Sequence, residues 1–376
     1  MMLSIVRAKM KEILVYNHKI YYSSLTYGTL MKPDSQITPG KYFRQCVGID
    51  VSKEKFVACL EMYDIASDVG CNTACIEFKN NKTGFNQLVK WSRKECLKDY
   101  PLTFLMEFTG IYHEPLAYHL HKLGMTVFVV VPNKARDFAR YEGIRTKTDE
   151  MDARSLALLG CYCRKLRPWF PPKPIFKELR QMTRFAVDIM KIRTQIVNHI
   201  EALNHGQNPQ KSVVGFYERF IADIDRRLKE NEKNIIAKVD TDKELSEAVS
   251  RLETIKGVRF LTIVSILAET DGFSMITNRK QLTSYAGLDV VAKQSGPQDP
   301  KHRISKAGNA RIRAALYWPA ITACHYNKQI QLSYGRICER NPNVKMIGVT
   351  AAMRRLLLLI YTLWKNGETY DPERMK

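Results

Sequence analysis

The chain has 376 residues, enough for two or three domains with a substantial core, and its 59 Lys and Arg against 38 Asp and Glu leave a net charge of +21. A surplus of that size is the footprint of a polyanionic partner, most commonly nucleic acid. A membrane surface would call for a basic amphipathic helix or a lipid anchor, and the sequence shows neither clearly.

Residues 1 to 45 carry Arg7, Lys9, Lys11, Lys19, Lys32, Lys41 and Arg44 and end in the turn-rich Lys32-Pro33-Asp34-Ser35 and Pro39-Gly40. They read as a basic extension without a clear strand, with Met31 as the next plausible start. Charges at Arg7, Lys9, Lys11 and Glu12 break any apolar stretch too early for a signal peptide. The apolar runs Met125 to Val131 and Leu356 to Trp364 fall short of a bilayer span. Nine cysteines, an odd number with no Cys-x-x-Cys pair, predict buried or partly buried free thiols in a reducing, cytoplasmic setting and argue against zinc.

From Gln45 the pattern changes. Cys46 to Ser52 is a short apolar strand with Asp50 near its end, Lys55 to Met62 a second strand, and Ala74 to Lys79 an alternating third. Thr83 to Leu97 has helical spacing, and Thr103 to Glu107 is a buried-looking strand ending on a carboxylate. A helix over His113 to Leu123, a strand over Met125 to Val131 and helices over Asn133 to Tyr141 and Asp149 to Cys163 complete the segment. Consecutive strands followed by strands alternating with helices predict a mixed sheet with helices packed on it. Groups at the carboxyl ends of neighbouring strands share a crevice, so Asp50 and Glu107 are candidates to meet there.

The stretch Lys147-Thr148-Asp149-Glu150-Met151-Asp152-Ala153-Arg154 follows the last strand. Asp149 and Asp152 share a helix face. Two carboxylates side by side repel unless a cation sits between them, and a hard divalent cation, Mg²⁺ or Mn²⁺, takes such oxygen ligands. The plainer reading is a helix start, capped by Thr148 or Asp149, whose early acids meet the positive end of the macrodipole.

Together, Gly48-Ile49-Asp50-Val51-Ser52-Lys53, Glu107-Phe108-Thr109-Gly110-Ile111-Tyr112 and Lys147-Thr148-Asp149 with Asp152-Ala153-Arg154 resemble the DEDD signature of a family of insertion-sequence transposases that includes the pilin-gene invertases. The resemblance implies an α/β RNase-H-like (RuvC-like) domain over residues 46–167, with Asp50, Glu107, Asp149 and Asp152 as catalytic, metal-binding acids.

Pro168 to Pro174 reads as a linker. Ile175 to His205 and Phe216 to Val239 are long charged helices with an apolar stripe, separated by Gly206, Pro209 and Gly215. Such a stripe is a helix–helix seam, within one chain or between two. The resemblance implies a coiled-coil arm over residues 168–250 that joins protomers, followed by a mainly α C-terminal transposase domain over 251–376. Glu253 to Arg259 resembles that domain's helix-hairpin-helix-like entry, with Arg259 in place of a second glycine, where it is a candidate charge contact to nucleic acid or simply a helix start. Ser295-Gly296 alone is an ordinary turn. It is flanked by Lys293, Lys301, Arg303, Lys306, Arg311 and Arg313, a basic surround suited to nucleic acid, and Gly308-Asn309 opens the next helix.

A serine oxygen attacks a phosphate only with its proton removed and the phosphate charge neutralised. By resemblance Ser295 is the nucleophile of a DNA recombinase that works through a covalent phosphoserine intermediate. The resemblance also implies guidance by a structured non-coding RNA and a homo-oligomer, dimer or tetramer. Two other readings are a metal-dependent junction resolvase or nuclease without serine chemistry, and a non-catalytic nucleic-acid-binding derivative.

Overall fold

A computed structural model describes residues 43–65, 69–108, 110–144, 146–163, 165–293 and 301–373. The chain divides into two compact units, the first ending at Pro171 and the second starting at Pro172.

The first unit is built on six strands, β1 (Phe43–Val51), β2 (Lys55–Asp64), β3 (Val69–Asn72), β4 (Ile76–Lys79), β5 (Leu102–Glu107) and β6 (Thr126–Val130). Their order is β3-β2-β1-β5-β6, with β4 also on β2. β1 runs antiparallel to β2 and parallel to β5, which is parallel to β6. This is the mixed, RNase-H-like sheet expected from the sequence.

The predicted third strand is two pieces. β3 pairs with Glu61–Asp64 and β4 with Lys55–Ala58, and Thr73 fills the break by donating its N–H to the Leu60 carbonyl at 2.9 Å. Beside that break Cys59 and Cys75 are joined in a disulfide, their Cα atoms 4.5 Å apart. This corrects the expectation of free thiols for this pair; the other seven cysteines are free. Opposed residues in a narrow antiparallel pair have the Cα separation a disulfide spans, and a sequence spacing of 16 carries no such signal.

Strand alternation sorts the two faces of the sheet. Val47, Ile49, Phe104 and Met106 enter one core with Phe85 and Leu88 of α1 (Lys82–Glu95) and Leu116 and Leu120 of α2 (Glu114–Lys122). Helix α3 (Pro132–Tyr141) follows β6. The other face, with Cys46, Gly48 and Leu105, is covered by α4 (Asp149–Tyr162). A Cβ on Gly48 would lie 2.1 Å from both the Ala153 carbonyl oxygen and the Ala157 nitrogen, and one on Gly160 would lie 2.1 Å from Cys46 Sγ. Small residues at Gly48, Ala153, Ala157 and Gly160 thus let the helix backbone rest on β1.

In the second unit α5 (Pro174–His205) and α6 (Lys211–Asp240) pair within one chain. Arg193 forks onto Asp225 at 2.7 and 3.1 Å, and Asn231 donates to the Met182 carbonyl at 3.1 Å. Gly215, expected between the helices, lies inside α6. Their roots, Phe176, Leu179, Ile235 and Val239, share one core with α7 (Lys243–Glu253), α8 (Phe260–Thr270), α10 (Ala310–Tyr326) and α12 (Lys345–Asn366). Helix α9 (Arg279–Tyr285) precedes, and α11 (Lys328–Arg340) follows, the α10 segment. Among the described residues α12 is the one helix long and apolar enough to cross a membrane, but half of its apolar window is buried in the protein, with Leu356, Leu357 and Ile360 fully enclosed. That is the burial of a core helix.

A hairpin of β7 (Val290–Lys293) and β8 (Lys301–Ile304) stands where the sequence suggested only loops and a turn. Its strands are four residues each, too short for alternation to register.

Candidate active site

Three elements deliver carboxylates to the carboxyl edge of the first unit's sheet. Asp50 is one residue beyond Ile49, which pairs with Met106, and Glu107 is one residue beyond Met106. Asp50 follows Gly48 by two and Glu107 follows Leu105 by two, so both side chains project to the face covered by α4. On α4 Thr148 is the N-cap, its hydroxyl accepting from the Met151 N–H at 3.2 Å, with Asp149, Glu150 and Asp152 in the first turn. The helix start is as expected, and the same turn carries the acids toward the sheet edge. The cap orients the turn, and the tight seat of α4 on Gly48 brings it to the strand that carries Asp50.

The acids are near enough to influence one another's charge. Burial pushes the Asp50 carboxyl from its ordinary 3.8 up to about 6, and Asp152, Asp149 and Glu107 push the same way against Lys147. Burial raises Glu107 as well, helped by Asp152 and opposed by Lys147 and Arg136. Asp152 is raised by burial and by Asp149, with Lys147 opposing. Among the described residues no three metal-ligating side chains close on one point. Their chemistry, four carboxylates at one edge, fits a hard divalent cation.

Sequence reasoning missed Arg136 and Glu61. Arg136 sits in the first turns of α3, which starts just after Val130, the β6 partner of Glu107. Glu61 faces Cys46 on β1, and its burial pushes it up to about 8, against the pull of Arg154. It lies down the sheet from Asp50, in a strand where no sequence signal marks it. The small-residue seam did have a signal, the run Ala153, Ala157, Gly160 along one helix face.

Ser295 lies outside the described residues, as do residues 1–42. Lys293 and Lys301 form the last backbone rung of the hairpin. At its base Ser305 donates its hydroxyl to Asp289 at 2.5 Å and its N–H to the Asp289 carbonyl at 2.9 Å. Gly287 and Gly308 pack backbone to backbone, where a Cβ on Gly308 would meet the Gly287 nitrogen at 2.5 Å.

The expected basic surround divides. Arg259, Arg303 and Lys306 are exposed. Arg313 instead donates to the carbonyls of Ala286 and Gly308 at 2.9 and 3.2 Å, and Arg311 pairs with Asp188 at 3.4 Å. The start of α10 is also spoken for. Asn309 donates its N–H to the Tyr285 carbonyl at 2.8 Å, and its side chain caps Arg311 and Ile312. Behind it Glu269, buried, takes both prongs of Arg184 at 2.7 and 2.8 Å and the Asn309 amide at 2.8 Å. Burial would raise Glu269, but these bonds outweigh it and hold the carboxyl below its usual range.

Arg259 is the N-cap of α8 with φ −118°, so its position does not require glycine. Gly257 does have that requirement. Its φ is +96°, and a Cβ there would meet the Ala323 nitrogen at 2.9 Å.

Comparison with known proteins is consistent across both units. Residues 47–206 match the DEDD transposase family of the IS110 type, and residues 249–335 match the family described as transposase IS116/IS110/IS902. The chain belongs to this transposase family. Pilin gene-inverting proteins of Moraxella bovis and Moraxella lacunata are each 27% identical over 334 residues, covering 86% of this chain and 97% of theirs. A Ppx/GppA family member from Aquifex aeolicus aligns over 87% of this chain and 92% of its own at 8% identity, with a TM-score of 0.20, too low to carry an argument. The family assignment supports an enzyme of DNA transposition or site-specific recombination.

Proposed function

We propose that the protein cuts and rejoins DNA through a covalent phosphoserine intermediate, with Asp50, Glu107, Asp149 and Asp152 holding Mg²⁺ or Mn²⁺ and Ser295 as nucleophile. The observation that carries the metal half is the convergence of the four acids at one sheet edge, with Asp50 pushed up to about 6, in a chain of charge +21. The serine half is supported by the resemblance of residues 285–316 to the family's C-terminal domain and by the basic residues that flank Ser295.

A bound divalent ion would supply charge neutralisation at the phosphate and its leaving oxygen. The chain's own residues do the rest. The serine hydroxyl loses its proton to a base and its oxygen forms a bond to phosphorus, while a bond from phosphorus to a deoxyribose oxygen breaks and that oxygen takes up a proton. A strand hydroxyl then attacks the phosphoserine, restoring the phosphodiester and the serine, so one ester replaces another without ATP or net hydrolysis. Lys147, opposed to Asp50, Glu107 and Asp152, offsets part of the negative charge that a phosphate brings. We further propose that a structured guide RNA selects the DNA, as pairing does in other RNA-directed systems, and that the protein works as a homo-oligomer.

The test is cutting of labelled DNA carrying the element's own junction, with Mg²⁺ or with EDTA. Asp50→Asn and Asp152→Asn should abolish cutting, and Glu61→Gln, off the quartet, should retain it. Wild-type rates in Asp152→Asn would overturn the metal assignment.

A further inference from the structure

The loops at the same sheet edge leave large apolar side chains in solvent. Phe108 is 53% exposed, Ile111 70% and Val131 60%. Phe108 follows Glu107 directly and Ile111 comes three residues later, and Val131 follows Val130, the strand partner of Glu107. These side chains stand in solvent on loops that leave the strand ends carrying the acids, so core packing does not explain them, and single exposed apolar residues are ordinary where several at one functional edge are not.

The ledge is held firmly. Phe108 donates its N–H to the Val130 carbonyl at 2.8 Å, and its ring lies 5.0 Å from that of His113. Asn80 Nδ2 donates to the carbonyls of Ser52 and Tyr112 at 2.8 and 3.1 Å. One amide thus ties the loop after Asp50 to the loop after Glu107. On the far side of Glu107, α3 buries none of its residues and carries exposed Lys134 and Arg136 in its first turns.

Fixed apolar faces beside cations match an unpaired strand, whose bases are free to stack while its phosphates meet Lys and Arg. An intact duplex keeps its bases stacked inside and offers their faces to apolar side chains only where it is kinked open. We propose that this edge docks unpaired DNA, with a splayed base stacking on the Phe108 ring, Ile111 packing against the same strand, and Lys134 and Arg136 meeting the phosphates. The inference deepens the proposed function by naming the form of the substrate at the metal edge, and rests on that reading only for the identity of the polymer.

The test uses the full chain in EDTA, so that no turnover is involved. Fluorescence anisotropy compares a labelled thymidine 20-mer as a single strand with the same strand paired to its complement. Phe108→Ser with Ile111→Ser should weaken single-strand binding roughly tenfold or more, since stacking on one side chain is worth about that per base. Duplex affinity should stay within about twofold. Phe108→Tyr, which keeps the ring, should bind like wild type, and melting curves of all variants should overlay.

Unchanged single-strand affinity in the double variant, or equal loss on both probes, would overturn the proposal. Neither result depends on cutting, so an Asp152→Asn protein that still cuts would fault the metal assignment separately.

Discussion

Asp50→Asn tests the electrostatic reading of the acid edge in a way activity alone does not. A carboxyl held at about 6 against an ordinary 3.8 binds its proton more tightly in the folded chain than in the unfolded one. The stability it contributes is therefore complete below about 3.8 and lost as pH rises through about 6. The gap between the two values corresponds to about 3 kcal/mol. Partial solvent access of the carboxylate reduces that to about 1–2 kcal/mol. At pH 7.5 in EDTA, Asp50→Asn should stabilise the first unit by that amount, raising its melting temperature by about 3–8 °C for a unit of this size. The gain should shrink as pH falls through about 6 and vanish below about 4. Mg²⁺ should stabilise wild type and leave the variant unmoved, since a ligand stabilises only the state that binds it. Calorimetry over pH 4–8 with and without Mg²⁺ reads all of this. A variant less stable than wild type at pH 7.5 in EDTA would refute the reading that burial, with the neighbouring carboxylates, disfavours charge at Asp50.

Gly48→Val should cost at least about 3 kcal/mol in urea unfolding and lower cutting, because its side chain meets helix backbone that cannot turn aside. Non-reducing peptide mapping should find Cys59 joined to Cys75, and dithiothreitol should then lower thermal stability by about 3 kcal/mol, the constraint expected of a loop of this length. Arg184→Ala should destabilise the second unit by about 3 kcal/mol, since it leaves the buried Glu269 carboxylate with Asn309 as its remaining side-chain partner; adding Glu269→Gln to it should recover part of the loss in chemical denaturation.

The sheet and its acids were legible because their signals are local. Cys46 to Ser52 is an apolar run with Asp50 near its end, Thr103 to Glu107 one ending on a carboxylate, and Asp149 and Asp152 stand about one helical turn apart. What the sequence hid depends on contacts between distant segments. Cys59 and Cys75 meet only because β2 and β4 pair in one register, and Arg136 faces Glu107 only because β6 delivers α3 to that edge. Arg311 and Arg313 look like free cations in sequence, yet fold geometry commits them to Asp188 and to two carbonyls. The hairpin before α10 escaped notice because its strands are short and carry Lys293, Lys301 and Arg303 where alternation would need apolar residues.

The most direct test of the whole account is a denaturing gel of the protein with its copurified RNA, Mg²⁺ and labelled DNA carrying the element's own junction. Wild type is run beside Ser295→Ala and Asp152→Asn. A labelled band at protein mass in wild type, absent from both variants, is the expected result and ties the serine and the acids to one reaction. Free cut ends without that band, unaffected by Ser295→Ala, would contradict the account and mean hydrolysis by a metal-dependent nuclease.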